Sequence, residues 1–321
     1  MTTNRRRSPR EAAAGLLHGS ARTAILKAAD SPRIERWVSA HGMRLGARRW
    51  VIGETLDEVV PVFRGLNARG LGGATGLFDD DARDADKIAV LKAAYAAIIE
   101  RLGEERLDAY VSLKLSQLGA HVDPDSMHAS MRDLATRAAR FGMRLRVDME
   151  QAALVQPTID LYRRLRAEQV DNVGLVLQAN LRRSEEDLEQ LLDPAFNVRL
   201  VKGAYLEPPA VAFQHRDEID AAYLRLLRRS LAGPGFTAIA THDGAIVEEA
   251  MRTIRELEVP RERYEFQTLY GVATGLQQRI ADAGYPLRLG APYGPTWFPY
   301  LMRRLAERPA NLSFFLRNAL R

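Results

Sequence analysis

The chain has 321 residues, of which 46% are hydrophobic and 27% charged, a composition typical of a globular protein with enough apolar residues for a full core. Its formal net charge of +5 is scattered along predicted helices without the interleaved aromatic residues of a nucleic-acid face, and no apolar run reaches the roughly 20 residues of a membrane span. Cysteine is absent, which excludes disulfides, thiolate metal sites and cysteine nucleophiles.

Residues 1–70 predict a helical segment that packs on the rest of the chain. Between Pro9 and Arg69, apolar residues recur at spacings of three and four, as on one face of a helix. Thr55 is a predicted N-cap and Gly70 a predicted stop. The first residues are rich in arginine and faintly resemble a transit peptide, but a frayed leader explains them more simply.

From Gly72 onward, short apolar segments alternate with amphipathic helices. The strand-like segments are GGATGLF, DAYVSLKLS, MRLRVDMEQ, NVGLVLQAN, NVRLVKGAY, FTAIATHD, YEFQTLYG and PLRLGAP. They recur at intervals of roughly 25 to 40 residues, which is the rhythm of an α/β fold of the (βα)8, TIM-like barrel type over residues 71–321. A doubly wound open sheet is the alternative, but its glycine-rich phosphate turn is missing from this sequence.

Polar residues interrupt the apolar segments near their carboxyl ends, where a βα barrel carries its chemistry. They are Lys114, Asp148, Gln178, Arg199, Lys202, Thr241, His242, Glu265 and Gln267. One such residue is usually a hydrogen-bonded core group, because an unpaired polar group is costly to bury. Six successive strand ends with this feature predict a functional site.

The last predicted helix of the barrel presents an aromatic ring and two guanidinium groups on one face. Tyr300, Arg303, Arg304 and Glu307 are spaced by three and four residues, so they share that face. Forked guanidinium donors match a carboxylate, and this arrangement favours binding of a small carboxylic acid. A solvated charged face is the simpler alternative for the motif alone.

The site residues include few groups that could react by themselves. The six histidines are dispersed without metal-binding spacing, so we predict no metal site, and no G-x-S-x-G elbow is present. A barrel mouth lined by hydrogen-bond donors indicates that a bound cofactor performs the chemistry and that the protein positions it.

Seven motifs in this order resemble those of the proline dehydrogenases, flavin enzymes built on a distorted βα barrel. They are VSLKLSQLG, RVDMEQ, GLVLQAN, RLVKGAY, ATHD, YEFQTLYG and the YLMRRLAE helix. The resemblance extends from about Ala47 to Leu320, and the compact length is similar to the monofunctional bacterial form. It implies an oxidoreductase acting on a CH–NH group, which converts L-proline to 1-pyrroline-5-carboxylate in proline catabolism with FAD as cofactor.

The resemblance also implies roles for individual residues. The catalytic residues would be Lys114, Asp148, Arg199 and Tyr300. The substrate would be bound by Lys114, Leu269, Tyr300, Arg303 and Arg304. The FAD would be bound by Gln178, Arg199, Val201, Lys202, Gly203, Ala204, Thr241, His242, Glu265, Gln267 and Leu269. The reduced flavin would pass its electrons to a quinone, which implies a cytoplasmic protein with transient, peripheral contact at the inner membrane and no nucleic-acid partner.

Three positions depart from the family pattern. Gly290 stands where the family commonly has a tyrosine whose hydroxyl meets the strand-three aspartate, and Asn180 replaces another tyrosine. We therefore expect a wider and more polar pocket, an Asp148 carboxylate without that partner, and a substrate that is 4-hydroxyproline or an N-substituted proline as the alternative to proline. The family's L-G-E ending of the first strand is replaced by Leu77, Phe78 and Asp79, with Asp80 and Asp81 behind. We expect one of these three aspartates to pair with Arg303 or Arg304 when substrate is absent.

Two other classes of function remain open from the sequence. A flavin-free barrel lyase or aldolase would use Lys114 or Lys202 as a Schiff-base lysine. A basic scaffold that binds lipid or nucleic acid without catalysis would leave the polar strand ends unexplained.

Overall fold

The computed structural model describes residue 25 and residues 29–307, and its centre is a closed barrel of eight parallel strands in sequential order. The strands are β1 (Gly72–Thr75), β2 (Ala109–Lys114), β3 (Leu145–Asp148), β4 (Val173–Gln178), β5 (Asn197–Val201), β6 (Phe236–Ala240), β7 (Tyr264–Leu269) and β8 (Leu287–Gly290). The predicted (βα)8 barrel and all eight predicted strand segments are confirmed.

Ten α-helices lie in the described part of the chain. They are α1 (Pro32–His41), α2 (Leu56–Asn67), α3 (Ala85–Glu104), α4 (Pro124–Ala139), α5 (Val155–Ala167), α6 (Ser184–Leu191), α7 (Arg216–Ala232), α8 (Gly244–Glu256), α9 (Thr274–Asp282) and α10 (Phe298–Glu307). The predictions for the arginine-rich leader and for the chain beyond Glu307 lie outside the described residues.

Side-chain caps define where several helices begin. The Asp84 carboxylate accepts a hydrogen bond from the Lys87 amide at 2.8 Å, and Asp123 caps α4 immediately before Pro124. Before α2, the Thr55 amide donates to the Glu58 carboxylate at 3.2 Å, as in a capping box. Helix α2 ends at Asn67, and Gly70 follows it with a φ of +72° that suits glycine.

The strand register brings the predicted site residues to one end of the barrel. Lys114 at the end of β2 is paired with Asp148 at the end of β3. Gln178 is paired with Val201, and Leu269 with Gly290, in the same way. The carboxyl ends of the strands therefore form a ring, called the mouth below, from which these side chains approach a common space.

The helical segment before the barrel belongs to two different cores. Helix α2 packs Val59 and Phe63 into the main core with the strands. Helix α1 instead joins a second cluster, in which Val38 and Trp50 pack with Trp297 and the apolar face of α10. The contact is close, because a Cβ on Gly42 would lie 2.7 Å from Cη2 of Trp297. The division of the chain at residue 70 stays a prediction.

Candidate active site

The centre of the mouth is an ion pair between β5 and β3. Arg199 points into the barrel, and its guanidinium donates to the Asp148 carboxylate and, at 3.3 Å, to the Ser112 hydroxyl. Burial disfavours the charged guanidinium, but Asp148 and the Tyr110 hydroxyl outweigh it and raise the pKa of Arg199. The expectation of an unpaired Asp148 carboxylate is wrong, because Arg199 forms an ion pair with it.

Lys114 lines a cavity beside this pair. The cavity measures about 320 Å³ and is lined by Lys114, Arg83 and the three aspartates that follow β1, Asp79, Asp80 and Asp81. Asp79 already pairs with Lys87 at 2.7 Å. The pairing of one of these aspartates with Arg303 or Arg304 stays a prediction.

Glu150 is a site residue that the sequence analysis missed. Its side chain is buried and accepts hydrogen bonds from the Ser116 amide at 3.0 Å and the Ser116 hydroxyl at 2.6 Å. Burial raises the pKa of Glu150, and the Ser116 hydrogen bonds and Lys114 oppose this shift. The signal was its position two residues after Asp148, which continues the same face of an extended chain.

Gln178 fixes the same loop from the next strand. Its side-chain amide donates to the Glu150 carbonyl at 2.9 Å, and the residue is buried at the end of β4. Because the β3 loop is held on both sides, the carboxyl ends of β3 and β4 have one defined spacing.

Tyr205 lies where the strand ends meet the last helix. Burial raises the pKa of its hydroxyl to about 12, with Glu150 and Asp148 adding to the effect and Arg303 opposing it. The charges of Asp148, Glu150 and Arg303 of α10 therefore all act on the Tyr205 hydroxyl. Tyr205 is the last residue of the RLVKGAY motif, and the sequence alone indicated no role for it.

Helix α10 places its polar face over the mouth. Tyr300 is buried, and its ring centroid lies 4.9 Å from that of Phe78. The Arg304 guanidinium lies 5.1 Å from the centre of the Tyr300 ring, so the i and i+4 positions stack as a cation on an aromatic face. Arg303 is exposed on the same helix and acts on Tyr205 through its charge.

A second group of predicted residues lies across the mouth, after β5 and β6. Lys202 donates to Asp243 at 2.9 Å and also pairs with Asp220. The Lys202 hydrogen bond, with Arg216, lowers the pKa of Asp243 to about 2, although burial opposes the shift. Lys202 is therefore held by carboxylates from two helices.

Thr241 and His242 are held by neighbouring backbone. The Thr241 hydroxyl accepts from the Asp243 amide at 3.1 Å. The His242 Nε2 accepts from the Leu269 amide at 2.8 Å, which places the proton of the neutral imidazole on Nδ1. These contacts bring the ends of β6 and β7 together.

The turn after Val201 packs tightly against Asn180. Gly203 has a φ of +109°, and a Cβ there would overlap the Asn180 side chain, so only glycine fits between Lys202 and Ala204. Asn180 is 6% exposed, and its Oδ1 accepts no hydrogen bond from the described residues. A buried acceptor without a donor fits a ligand that carries hydroxyl or amino groups.

Glu265 lies deeper in the barrel than predicted. It is the second residue of β7 and not a residue of the strand end, and its carboxylate accepts from Arg288 at 3.0 Å. Gln267 lies between Glu265 and the mouth and donates to the Tyr110 hydroxyl as well as to Glu265. The prediction that Glu265 lies at the mouth is wrong, because strand-end polarity and interior polarity look alike in sequence.

Gly290 leaves space at the end of β8. A Cβ there would lie 3.4 Å from the Leu269 side chain and 3.7 Å from the Thr268 carbonyl, which are ordinary contacts. Tyr285 does not fill the space, because its ring packs on Phe266, with centroids 5.5 Å apart, on the outer face of β7. Neither Gly290 nor Tyr285 therefore supplies the ring that the family pattern has at this position.

Two features are not found in the part of the chain that the structure describes. Between residues 29 and 307, no helix combines the length and the apolar character that spanning a bilayer requires. No cluster of three or more potential metal ligands occurs among the same residues.

Comparison with known proteins identifies similar chains. The family model described as "Proline dehydrogenase" matches residues 62–317. Proline dehydrogenase 1 of Bacillus subtilis (strain 168) is 33% identical over 300 residues, covering 94% of this chain and 99% of the relative. Proline dehydrogenase of Deinococcus radiodurans is 32% identical over 304 residues, covering 94% and 98%.

A solved structure shares the fold. It is proline utilization A (PutA) from Bdellovibrio bacteriovorus inactivated by N-propargylglycine, with a TM-score of 0.75 and 23% identity. The match covers 81% of this chain and 32% of that protein, so the chain spans about a third of the length of PutA.

Proposed function

This chain belongs to the proline dehydrogenase family, and we propose that it oxidises L-proline to 1-pyrroline-5-carboxylate with a bound FAD. The observation that carries the proposal is the cluster of charges at the mouth: Lys114 lines the cavity, Arg199 pairs with Asp148, and Arg303 of α10 acts together with Asp148 on Tyr205. In this reaction the C5–H bond of the ring breaks, a hydride leaves with both electrons, the nitrogen loses a proton and a C=N bond forms.

The substrate carboxylate is proposed to bind between Lys114 and the guanidiniums of Arg303 and Arg304. The Tyr300 ring already carries Arg304 on its face, so this cation is oriented before the substrate arrives. Tyr300 and Leu269 would pack against the pyrrolidine ring of the substrate and hold its carbon next to nitrogen at the centre of the mouth.

The FAD is proposed to lie across the ends of β4 to β7. The buried acceptor of Asn180 and the glycine turn at Gly203 fit a dinucleotide with its many hydroxyl and amino groups. When bound, FAD supplies the hydride acceptor. Arg199 would donate near its N5 atom and Gln178 near its pyrimidine edge. The segment Val201, Lys202, Gly203 and Ala204 would line the dinucleotide, with Thr241, His242 and Gln267 completing the pocket and Glu265 behind Gln267.

The colour and turnover of the purified protein test this function. We expect a yellow protein that oxidises L-proline in the presence of a soluble quinone analogue and releases 1-pyrroline-5-carboxylate. A colourless protein that borohydride inactivates in the presence of a carbonyl substrate would overturn the proposal and favour a Schiff base on Lys114 or Lys202.

A second substrate class is favoured by one observation, the space at Gly290. A Cβ at Gly290 would make only ordinary contacts with Leu269, which supports room for a small ring substituent on the substrate. Asp148 gives no support to a modified proline, because its carboxylate is paired with Arg199. Only the space supports 4-hydroxyproline or N-methylproline as substrates.

Steady-state kinetics decide between these substrates. If the space is used, kcat/KM for 4-hydroxyproline or N-methylproline equals or exceeds that for proline, and Gly290→Tyr reverses the preference. A preference for proline of about tenfold or more, equal to about 1.4 kcal/mol of transition-state binding, would exclude the modified prolines as the main substrate.

We also propose that a membrane quinone accepts the electrons and that α1 contacts the bilayer. Ile34 and Trp37 on this helix are 37% and 50% exposed, and Arg33 and Arg36 are exposed beside them. Exposed apolar side chains flanked by cations suit an interface with anionic lipid. Through the contact of Gly42 with Trp297, α1 lies next to the helix that covers the mouth.

Tryptophan fluorescence tests this contact with one reporter. The chain has three tryptophans, and Trp50 and Trp297 are 2% and 0% exposed, so brominated lipid should quench Trp37 selectively. We expect quenching with vesicles containing phosphatidylglycerol, its loss in Trp37→Phe, and weaker binding at high salt. Equal quenching of wild type and Trp37→Phe, or none, would refute α1 as the contact.

A further inference from the structure

Below its mouth the barrel is filled by charged side chains and not by the branched apolar layers usual in this fold. Arg146, Arg199 and Arg288 point inward from β3, β5 and β8. Asp148 pairs with Arg199. Arg288 pairs with Glu265 at 3.0 Å and with the more exposed Asp108 at 2.9 Å. Two of the three inward-pointing guanidiniums are therefore ion-paired.

Arg146 is the guanidinium that has none of these carboxylates as its hydrogen-bond partner. It is 2% exposed, and it donates to the Leu175 carbonyl at 2.9 Å, to the Asn197 carbonyl at 3.0 Å and to the Asn197 side chain. Its Nε has no hydrogen-bond partner among the described residues. Burial lowers the pKa of Arg146, but a guanidinium still keeps its charge at neutral pH.

The surrounding backbone is built to accommodate this side chain. A Cβ on Gly174, the neighbour of Arg146 across the β3–β4 ladder, would overlap the Arg146 guanidinium. Arg288 has the same arrangement, because a Cβ on Gly72 would lie 2.6 Å from its central carbon. The arginine thus occupies a site shaped for it, although an amide side chain would hydrogen-bond the same oxygens at a lower cost of desolvation.

Tyr110 links the interior charges to the mouth. Its ring lies 4.9 Å from the Arg288 guanidinium and 5.9 Å from that of Arg146. Its hydroxyl accepts from Gln267 and acts on Arg199 as well as on Arg146. A change at Arg146 is therefore transmitted to Arg199 by contact and by charge.

We propose that Arg146 is a positioning residue for the redox step, whose positive charge, which no direct ion pair neutralises among the described residues, favours the extra negative charge that the flavin gains on reduction. The proposal rests on the function proposed above. Arg146 lies two residues below Asp148 on β3, a rise of roughly 7 Å, and is itself 2% exposed. At such distances a buried charge biases a neighbouring charge change by about tenfold.

The redox potential of the bound flavin in two matched variants tests the proposal. Arg146→Met and Arg146→Lys both replace the guanidinium with an unbranched side chain, but only lysine can carry a charge. We expect Arg146→Met to weaken flavin reduction by about tenfold, which is about 30 mV for a two-electron couple. Arg146→Lys should retain most of the wild-type potential, and Tyr110→Phe, which keeps every charge, should lie closer to wild type than Arg146→Met.

The outcomes distinguish an effect of the Arg146 charge on the flavin potential from an effect of its packing. An unchanged potential in Arg146→Met, or an equal fall in the Met and Lys variants, would overturn the proposal. If Arg146→Met does not fold, Arg146→Gln, which keeps amide hydrogen bonds to Asn197, is measured with the same criteria. Wild-type protein that takes up no FAD would instead refute the proposed function, so the two failures are distinguishable.

Discussion

At the scale of single residues, the site depends on how each charged group is paired. Lys202 is the example on the cofactor side, since it is held between Asp220 and Asp243 at the ends of two helices. This arrangement keeps a flexible lysine in one place beside the Gly203 turn. The same pairing makes the protein's stability depend on pH in a predictable direction.

We expect Asp243→Asn to lower the free energy of unfolding by about 2 kcal/mol at pH 7. The pKa of Asp243 falls from 3.8 to about 2 on folding, mainly through Lys202, so the carboxylate stabilises the fold fully above pH 4. As the pH falls from 4 toward 2, the carboxyl protonates in the folded state and the contribution disappears. Urea unfolding at a series of pH values measures the difference between wild type and variant.

The control is Glu248→Gln, an exposed acid on α8, which should change stability by less than about 0.5 kcal/mol at every pH. A constant difference between wild type and Asp243→Asn down to pH 2 would contradict this account of Asp243.

The sequence identified the residue types of the site. It did not identify their ion-pair and hydrogen-bond partners, or how deep each side chain lies in the barrel. Lys114, Asp148 and Gln178 end their strands as predicted. Asp148 pairs with Arg199 from a strand that is not its neighbour, and no local pattern encodes such a contact. Arg146, two residues before Asp148, was overlooked because its partners are backbone carbonyls on other strands.

At the scale of elements, the position of α10 is set by the second core and not by the barrel alone. Trp297, immediately before α10, is fully buried, and its Nε1 donates to Glu54 at 2.6 Å. The segment that contains α1 therefore holds the helix that carries Tyr300 and the two guanidiniums proposed to bind the substrate.

We expect Trp297→Ala to raise KM for proline more than Phe196→Ala does. Both changes remove a fully buried aromatic ring and should cost about 3–5 kcal/mol of stability. Phe196 belongs to the main core, whereas Trp297 anchors α10, so only its loss displaces the carboxylate-binding face. Kinetics below the unfolding temperature of both variants measure the difference, and equal KM values would show that the anchor does not set the site.

Elements with strong periodicity were predictable from sequence, and their packing partners were not. The strands of the barrel and helices such as α3 carry their own pattern and caps. The segment before the barrel was predicted as a single helical unit, yet α2 packs with the strands and α1 with α10. Only long-range contacts make that division, because both helices have the same amphipathic period.

At the scale of the whole molecule, the barrel brings the cations from several strands and α10 to one end. The central claim is that Arg303 and Arg304 hold an imino acid against a flavin in this mouth. The most direct measurement is an anaerobic titration with L-proline, followed by the loss of visible flavin absorbance. Each arginine is replaced by methionine, and Arg252→Met on α8, away from the mouth, is the control.

The account predicts that wild type and Arg252→Met bleach at the same proline concentration. Arg303→Met and Arg304→Met should bind FAD normally but need about 10- to 100-fold more proline, the loss expected for a charged hydrogen bond. Bleaching of all four proteins at one concentration, or no bleaching of a flavin-loaded wild type by proline or a substituted proline, would contradict it.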